Sequence, residues 1–301
     1  MKTIITGAFW ASETELDELR NLGLEITLHK DERQPVVHPE QYEAAVCNGL
    51  FLYNNIEKFI NLKYIQLTSA GMDRVPMDYI RSHGITIHNA RGVYSIPMAE
   101  FAVCGVLQLD KQSRFFDGNQ RQHKWEKHRG LLELSGRTVC IVGCGSVGTE
   151  CAKRYAAFGC HVIGVDIRTH QDEAYERIYP LEKLTHILSE ADVVVLTLPL
   201  TEETHHLIDR SALSGMKSGA IVVNIARGAI VDTEALVDAL GSHLGGAVLD
   251  VFETEPLEES SPLWDMENVI LTPHNSFVGE GNRKRMMEVI VKNIVEWRNT
   301  R

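Results

Sequence analysis

Short, nearly continuous apolar runs recur along the chain, separated by amphipathic stretches. In the N-terminal third, TIITG, EITLH, GLFLY, YIQLT and ITIHN read as strands. ETELDELRNL, with Leu16, Leu19 and Leu22 on one side, reads as a connecting helix. SIPMAEFAVCGVLQLDKQ follows as a long apolar-faced segment with Pro97 near its start, where a helix tolerates proline. Polar RQHKWEKH separates it from a second series of strand candidates: RTVCIVG, CHVIGVD, DVVVLTL, AIVVNIA, GAVLDV and NVILTP. TEALVDAL is one of the helical stretches between them. In the tail, Met286, Val289, Ile290, Ile294 and Trp297 fall at helical spacing and predict a final packed helix, with the preceding NRKR a solvated turn. Strands separated by helices imply parallel βαβ units, so the fold class is α/β.

Composition narrows what such a chain does. Its 301 residues suffice for two domains, each with its own core. Hydrophobic residues make up 44% and charged residues 24%, the balance of a globular protein in water. The net charge of −11 argues against nucleic acid or an anionic membrane surface as the main partner. MKTIITGAFW reads as a first strand and not as a signal peptide, and no apolar run approaches the roughly 20 residues that span a bilayer. The six cysteines show no CxxC and no metal-ligand spacing, so reduced thiols, no metal and a cytoplasmic location are expected. Cys144 is read as a small residue tolerated within a glycine turn, not as a redox centre.

That turn carries the first chemistry. VCIVGCGSVGTECAKRYAAFG has the form strand, Gly143-x-Gly145-x-x-Gly148, helix. Gly143 permits the tight turn, Gly145 lets a pyrophosphate approach the backbone, and Gly148 lets the helix lie close to the strand. The helix N-terminus, with Ser146 and Val147 in its first turn, then faces the phosphates. Asp166 ends the next strand at about the 20-residue distance at which an acidic group takes the ribose hydroxyls of NAD. Arg168, two residues on, is of the type that accepts the extra phosphate of NADP, so NAD is the expectation and NADP the lesser alternative.

Three later segments each offer a reactive side chain after a strand-like run: Arg227 in NIARG, a carboxylate in LDVFETEP, and His274 in LTPHN. A guanidinium clamps a carboxylate with a planar fork. An imidazole exchanges a proton near neutral pH, and a neighbouring carboxylate stabilises its charged form. Together they suit a site that holds a 2-oxo acid and protonates its carbonyl. Any single one of the 13 histidines is more often a surface or satisfied residue, and His205 and His206 have no context that lifts them from that class.

GCGSVG, VDIR, LTLPLTEET, NIARGAIVD, LDVFETEPL and LTPHNS come in this order. The chain thereby resembles the D-isomer-specific 2-hydroxyacid dehydrogenases along its length, most specifically from Leu134 to Phe277. The resemblance implies two doubly wound parallel-sheet domains. One is a flavodoxin-like substrate domain of residues 1–95 plus 278–301, the other an inserted Rossmann NAD-binding domain of residues 96–277. It further implies a homodimer held through the cofactor domains and an active site in the cleft between domains. By the family pattern, Arg227 is the carboxylate and carbonyl clamp, His274 the acid/base, and Glu255 its partner in preference to Glu253. Asp250 matches the position that contacts the nicotinamide amide, and Thr197, Leu198, Pro199 and Ala226 match positions along the cofactor. In TSAGMD, Ser69, Ala70 and Gly71 match the substrate loop, whose backbone N–H groups receive the substrate carboxylate.

The expected reaction is hydride transfer between NAD(H) and a small D-2-hydroxy or 2-oxo acid. A second reading from another class is an NAD(H)-sensing binding protein of the corepressor type. LYNN (Leu52 to Asn55), GVYS (Gly92 to Ser95) and NSFVG depart from the family's common patterns where the substrate side chain is expected. There, Tyr94 and Phe277 point to small or flat acids.

Overall fold

The computed structural model describes residues 1–299. It divides into two compact units, one of residues 1–94 with the chain from 279 onward, the other of residues 95–278. The first unit contains β1 (Lys2–Thr6), α1 (Glu13–Asn21), β2 (Glu25–His29), β3 (Ala44–Cys47), α2 (Leu50–Tyr53), β4 (Tyr64–Leu67), α3 (Met77–Ser82) and β5 (Thr86–His88). Its five strands are parallel in the order β2-β1-β3-β4-β5. The second contains α4 (Ser95–Asp110), α5 (Ser113–Arg121), β6 (Thr138–Val142), α6 (Ser146–Ala157), β7 (His161–Asp166), β8 (Arg177–Pro180), α7 (Leu184–Leu188) and β9 (Val193–Leu196). It continues with α8 (Arg210–Ser214), β10 (Ile221–Asn224), α9 (Thr233–Leu240), β11 (Gly246–Leu249) and β12 (Val269–Leu271). Its seven strands are also parallel, in the order β12-β11-β10-β9-β6-β7-β8. The last helix, α10 (Asn282–Asn299), belongs to the first unit. Both units are therefore parallel α/β sheets, as the alternation predicts.

Parallel strands covered on both faces become continuous apolar runs, and β3, β4, β9, β10 and β11 are buried at every residue. In the first unit, Ile5, Val46 and Tyr64 face Leu16 and Leu19 of α1 and Met286, Met287, Ile290, Ile294 and Trp297 of α10. The alternate residues Ile4, Ala45, Ile65 and Leu67 face Leu50, Phe59 and Ile80. The Tyr64 and Trp297 rings pack with centroids 4.7 Å apart. At the start of α1, Ser12 and Glu15 cap each other's backbone N–H groups, satisfying two donors that the helix itself leaves open.

The structure corrects two local readings. GLFLY is not a strand: the strand is the preceding AAVC, and Leu50–Tyr53 make one helical turn with Leu50 buried and Leu52 and Tyr53 exposed. Small residues suffice in a strand buried on both faces, so the bulkier neighbouring run draws attention away from it. NRKR is not a solvated turn but the first turn of α10. Arg283 there pairs with Glu15, and Arg285 Nε donates to the carbonyl of Val93 at 2.7 Å. The edge strand β8, RIYP, was not anticipated, since its burial alternates weakly and it ends in proline.

Candidate active site

The second sheet changes direction between β6 and β9, and the glycine turn leaves the end of β6 at that point. A crevice at such a switch point, outside the carboxyl ends of the strands, is where parallel α/β sheets bind ligands. Gly143 has φ +97°, and a side chain there would press against the backbone of Leu198, at the end of β9, with the Leu198 nitrogen at 2.7 Å. On Gly148 a Cβ would overlap the Gly143 carbonyl oxygen and lie 3.0 Å from Thr197 Oγ1. On Gly145 it would meet nothing within 4 Å. Two glycines thus serve packing, and the third keeps open space above the turn. Gly145 is the N-cap of α6 and supplies no side-chain cap, so the first-turn N–H groups at Ser146 and Val147 are left for an anion.

The turn is braced from both neighbours. Thr197 Oγ1 donates to the Gly143 carbonyl at 2.6 Å. Asp166, ending β7, accepts from the Cys144 N–H at 2.7 Å and from the Arg168 N–H at 3.0 Å, so its carboxylate is folded toward the turn. Each oxygen keeps acceptor capacity for a ribose hydroxyl. These residues fit a dinucleotide: an open cradle, an uncapped helix start and an acidic group at the adjacent strand end. Cys144 points into the core against Gly164 and Tyr175, and burial pushes its thiol up to about 12. At that value the thiolate is scarce, which fits the reading of an inert small residue.

Arg227, Glu255 and His274 lie beyond the carboxyl ends of β10, β11 and β12, three strands that neighbour one another in the sheet. The β10 end is stitched by Asn224, buried, whose amide accepts from the Ala226 N–H and donates to the Arg227 carbonyl at 2.9 Å. One Arg227 N–H is spent on the Ala226 carbonyl at 2.7 Å. Gly228 follows, packed so tightly that a methyl group on it would overlap the Phe252 carbonyl. This glycine lets the arginine turn lie against the segment that carries Glu255.

His274 Nδ1 donates to Glu255 Oε2 at 2.9 Å, and Glu255 Oε1 accepts from the Phe252 N–H at 3.1 Å. Among the described residues nothing hydrogen-bonds His274 Nε2, so that nitrogen is the one presented. His274 has φ +52°, a left-handed conformation uncommon outside glycine. Asp250 holds it there. Wholly buried, it accepts from Thr272 Oγ1 at 2.6 Å, the Asn275 N–H at 2.7 Å and the Ser276 N–H at 2.9 Å, while its own carbonyl accepts from the His274 N–H at 2.8 Å.

The geometry also separates the two glutamates of ETEP. Glu253 accepts from the Thr233 N–H at the start of α9 and from His206 Nε2, whereas Glu255 faces His274. His206 is thus a satisfied histidine. Sequence reading missed the supporting residues Asn224, Gly228 and Thr272. A polar residue closing the apolar run AIVVN was the signal for Asn224. In the first unit, Ser69, Ala70 and Gly71 follow β4 in a loop where Ser69 Oγ donates to the Gly71 carbonyl at 2.9 Å. Among the described residues no group of three or more His, Cys, Asp or Glu is placed to hold a metal, and no helix is long and apolar enough to cross a membrane.

Comparison with known proteins agrees with this architecture. Residues 103–276 match the D-isomer specific 2-hydroxyacid dehydrogenase, NAD binding domain. A glyoxylate reductase of Thermofilum pendens is 36% identical over 78% of this chain and 71% of its own. One of Korarchaeum cryptofilum is 33% identical over 91% of this chain and 86% of its own. Among solved structures, a D-isomer specific 2-hydroxyacid dehydrogenase of Xanthobacter autotrophicus in complex with NADPH and MES is 28% identical, with a TM-score of 0.79, over 97% of this chain and 93% of its own. With the glycine turn at the sheet's switch point and the Arg, Glu and His beyond its strands β10, β11 and β12, this chain belongs to the D-isomer-specific 2-hydroxyacid dehydrogenases.

Proposed function

We propose that the chain transfers a hydride between NAD(H), rather than NADP(H), and a short D-2-hydroxy acid/2-oxo acid pair, as a homodimer in the cytoplasm without nucleic-acid or membrane partners. We assign residues 1–95 and 278–301 to the substrate domain and 96–277 to the NAD-binding domain. The observation that carries the reading is the His274–Glu255 pair at 2.9 Å, beside Arg227, on the same rim of the sheet as the glycine turn.

The nicotinamide, when bound, supplies the hydride that the carbonyl carbon receives. The remaining steps belong to the chain. In reduction, the protonated imidazole of His274 donates from Nε2 to the carbonyl oxygen, while Nδ1 stays on Glu255. The Glu255 carboxylate stabilises the imidazolium and fixes the ring, and in oxidation the neutral imidazole takes the proton back. Arg227 clamps the substrate carboxylate and polarises the carbonyl, as electrostatic stabilisation at the reacting centre. The N–H groups of Ala70 and Gly71, next to Ser69, receive the carboxylate. The first-turn N–H groups of Ser146 and Val147, with open space at Gly145, take the pyrophosphate, Gly143 and Gly148 shape the turn that presents them, and Asp166 holds the adenosine ribose. Thr197, Leu198, Pro199 and Ala226 line the cofactor's path. Asp250 first holds the His274 loop, and any contact with the nicotinamide amide uses its remaining acceptor site.

Asp166 supports NAD because its charge repels a ribose phosphate. Arg168 and the NADPH bound to the Xanthobacter protein favour the alternative, so both cofactors belong in the assay. The dimer is supported by apolar surface on the second unit: Val103, Leu107 and Phe158 line a crevice beside α4 and α6, and Trp125 is 97% exposed. The corepressor-type reading gains no support, since both relatives reported above are named reductases. The test is NADH and NADPH oxidation with glyoxylate, hydroxypyruvate, pyruvate and a branched 2-oxo acid. Steady oxidation of NADH with higher kcat/KM than NADPH is expected. Tight binding of NADH without turnover of any acid would overturn the reading.

A further inference from the structure

In the first unit, the loop after β4 has its carbonyls tied down and its N–H groups left open. Four consecutive carbonyls each accept a hydrogen bond from within the same unit. That of Thr68 accepts from the Tyr94 hydroxyl, and that of Ser69 from the Ala90 N–H at 2.9 Å. That of Ala70 accepts from Asn89 Nδ2 at 2.6 Å, and that of Gly71 from Ser69 Oγ at 2.9 Å. By contrast, among the described residues no acceptor takes the N–H groups of Ser69, Ala70 and Gly71. These peptides are trans, so the C=O and N–H of each plane point in opposite directions. Fixing the Thr68 carbonyl therefore aims the Ser69 N–H, fixing that of Ser69 aims the Ala70 N–H, and fixing that of Ala70 aims the Gly71 N–H. Successive backbone N–H groups held open in this way suit an anion.

Three of the four donors sit on one short segment after β5, and that segment is itself held. Ala90 and Val93 are wholly buried, and Gly92 takes φ +93°. The Val93 N–H returns to the Ala90 carbonyl at 3.1 Å, and Arg285 Nε of α10 donates to the Val93 carbonyl at 2.7 Å. Asn89 Oδ1 accepts from the Arg91 N–H at 3.2 Å, which orients the amide with its nitrogen toward Ala70. Burial pushes the Tyr94 phenol up, so its hydroxyl keeps the proton that it donates.

We propose that Asn89 and Tyr94 are positioning residues of the carboxylate subsite: by holding the Ala70 and Thr68 carbonyls they turn the Gly71 and Ser69 N–H groups toward the substrate carboxylate. The Ala70 N–H needs no side chain, because the Ala90 backbone fixes it. The inference rests on the assignment of this loop as carboxylate receiver. It gives Tyr94 a role through its hydroxyl, not through its bulk.

The test measures KM for NADH and for each of glyoxylate, hydroxypyruvate, pyruvate and a branched 2-oxo acid in the wild type, Tyr94→Phe and Asn89→Ala. Loss of a binding contact shared by ground and transition states raises KM and spares kcat. Each variant should raise the KM of every acid turned over by about fivefold or more, the range of one hydrogen bond, with KM for NADH within twofold. KM does not depend on the fraction of folded protein, so partial loss of fold does not imitate this result. All the acids share the carboxylate, so the factor should be the same for each. A KM that changes less than twofold, a rise in KM for NADH in step with the acids, or a factor that grows with the acid's side chain overturns the positioning role and leaves the reductase reading standing. No turnover of any acid by the wild type with either cofactor overturns both.

Discussion

Gly228 lies against the backbone of Phe252 with no room for a side chain, and through this contact the turn bearing Arg227 is seated beside the segment bearing Glu255. Gly228→Ala forces one of the two backbones to move. We expect a loss of about 1–3 kcal/mol in stability, as overpacking of a tight site costs, and a fall in kcat/KM from the displaced arginine. Denaturant unfolding and steady-state kinetics measure both, and wild-type values in the two together would show that the contact positions nothing.

Replacing His274 by Ala should lower turnover by a factor of about 100 to 10,000, the usual share of a general acid. Glu255→Gln keeps a hydrogen-bonding partner at Nδ1 but removes the negative charge facing the imidazolium. A smaller loss, on the order of tenfold, is expected, with the KM for the cofactor little changed. Near-normal turnover in His274→Ala would remove the histidine from the chemistry.

The glycine turn offers a contrast between two positions. Gly145 faces open space, so Gly145→Val should fold as the wild type does while weakening NADH binding by about tenfold or more, measured by fluorescence titration. Gly148 faces the Gly143 carbonyl, Thr197 and Ile141, so Gly148→Val should lower the melting temperature before any effect on binding is read. The reverse order would exchange the roles assigned to the two glycines.

Glu15 caps α1 and pairs with Arg283 of α10 at 2.5 Å, and that arginine, with the N–H and hydroxyl of Ser12, holds its carboxyl down to about 2 from an ordinary 4.5. A carboxylate whose folded value is depressed stabilises the fold above its unfolded value and loses that contribution as pH falls toward the folded one. The pair should therefore contribute fully above about pH 5 and fade between there and pH 2. The gap in melting temperature between the wild type and Glu15→Gln should narrow as pH is lowered from 7 to 3. A gap that does not change with pH would mean that the carboxylate's charge is not what stabilises.

The fold class and the glycine turn were readable along the chain, because strand burial and turn chemistry are local properties written in consecutive residues. The runs VVVL and IVVN are buried at every position, as apolar segments of a sheet covered on both faces must be. Where local pattern was ambiguous it misled: GLFLY has a strand's composition, yet a helical turn won because the shorter AAVC already filled the place between β1 and β4. The order of strands is a matter of long-range pairing, and it alone brings β10, β11 and β12 side by side so that Arg227, Glu255 and His274 share one rim. The same holds for the two glutamates two residues apart in ETEP. Chain chemistry does not distinguish them, and packing directs one to the start of α9 and His206, the other to His274.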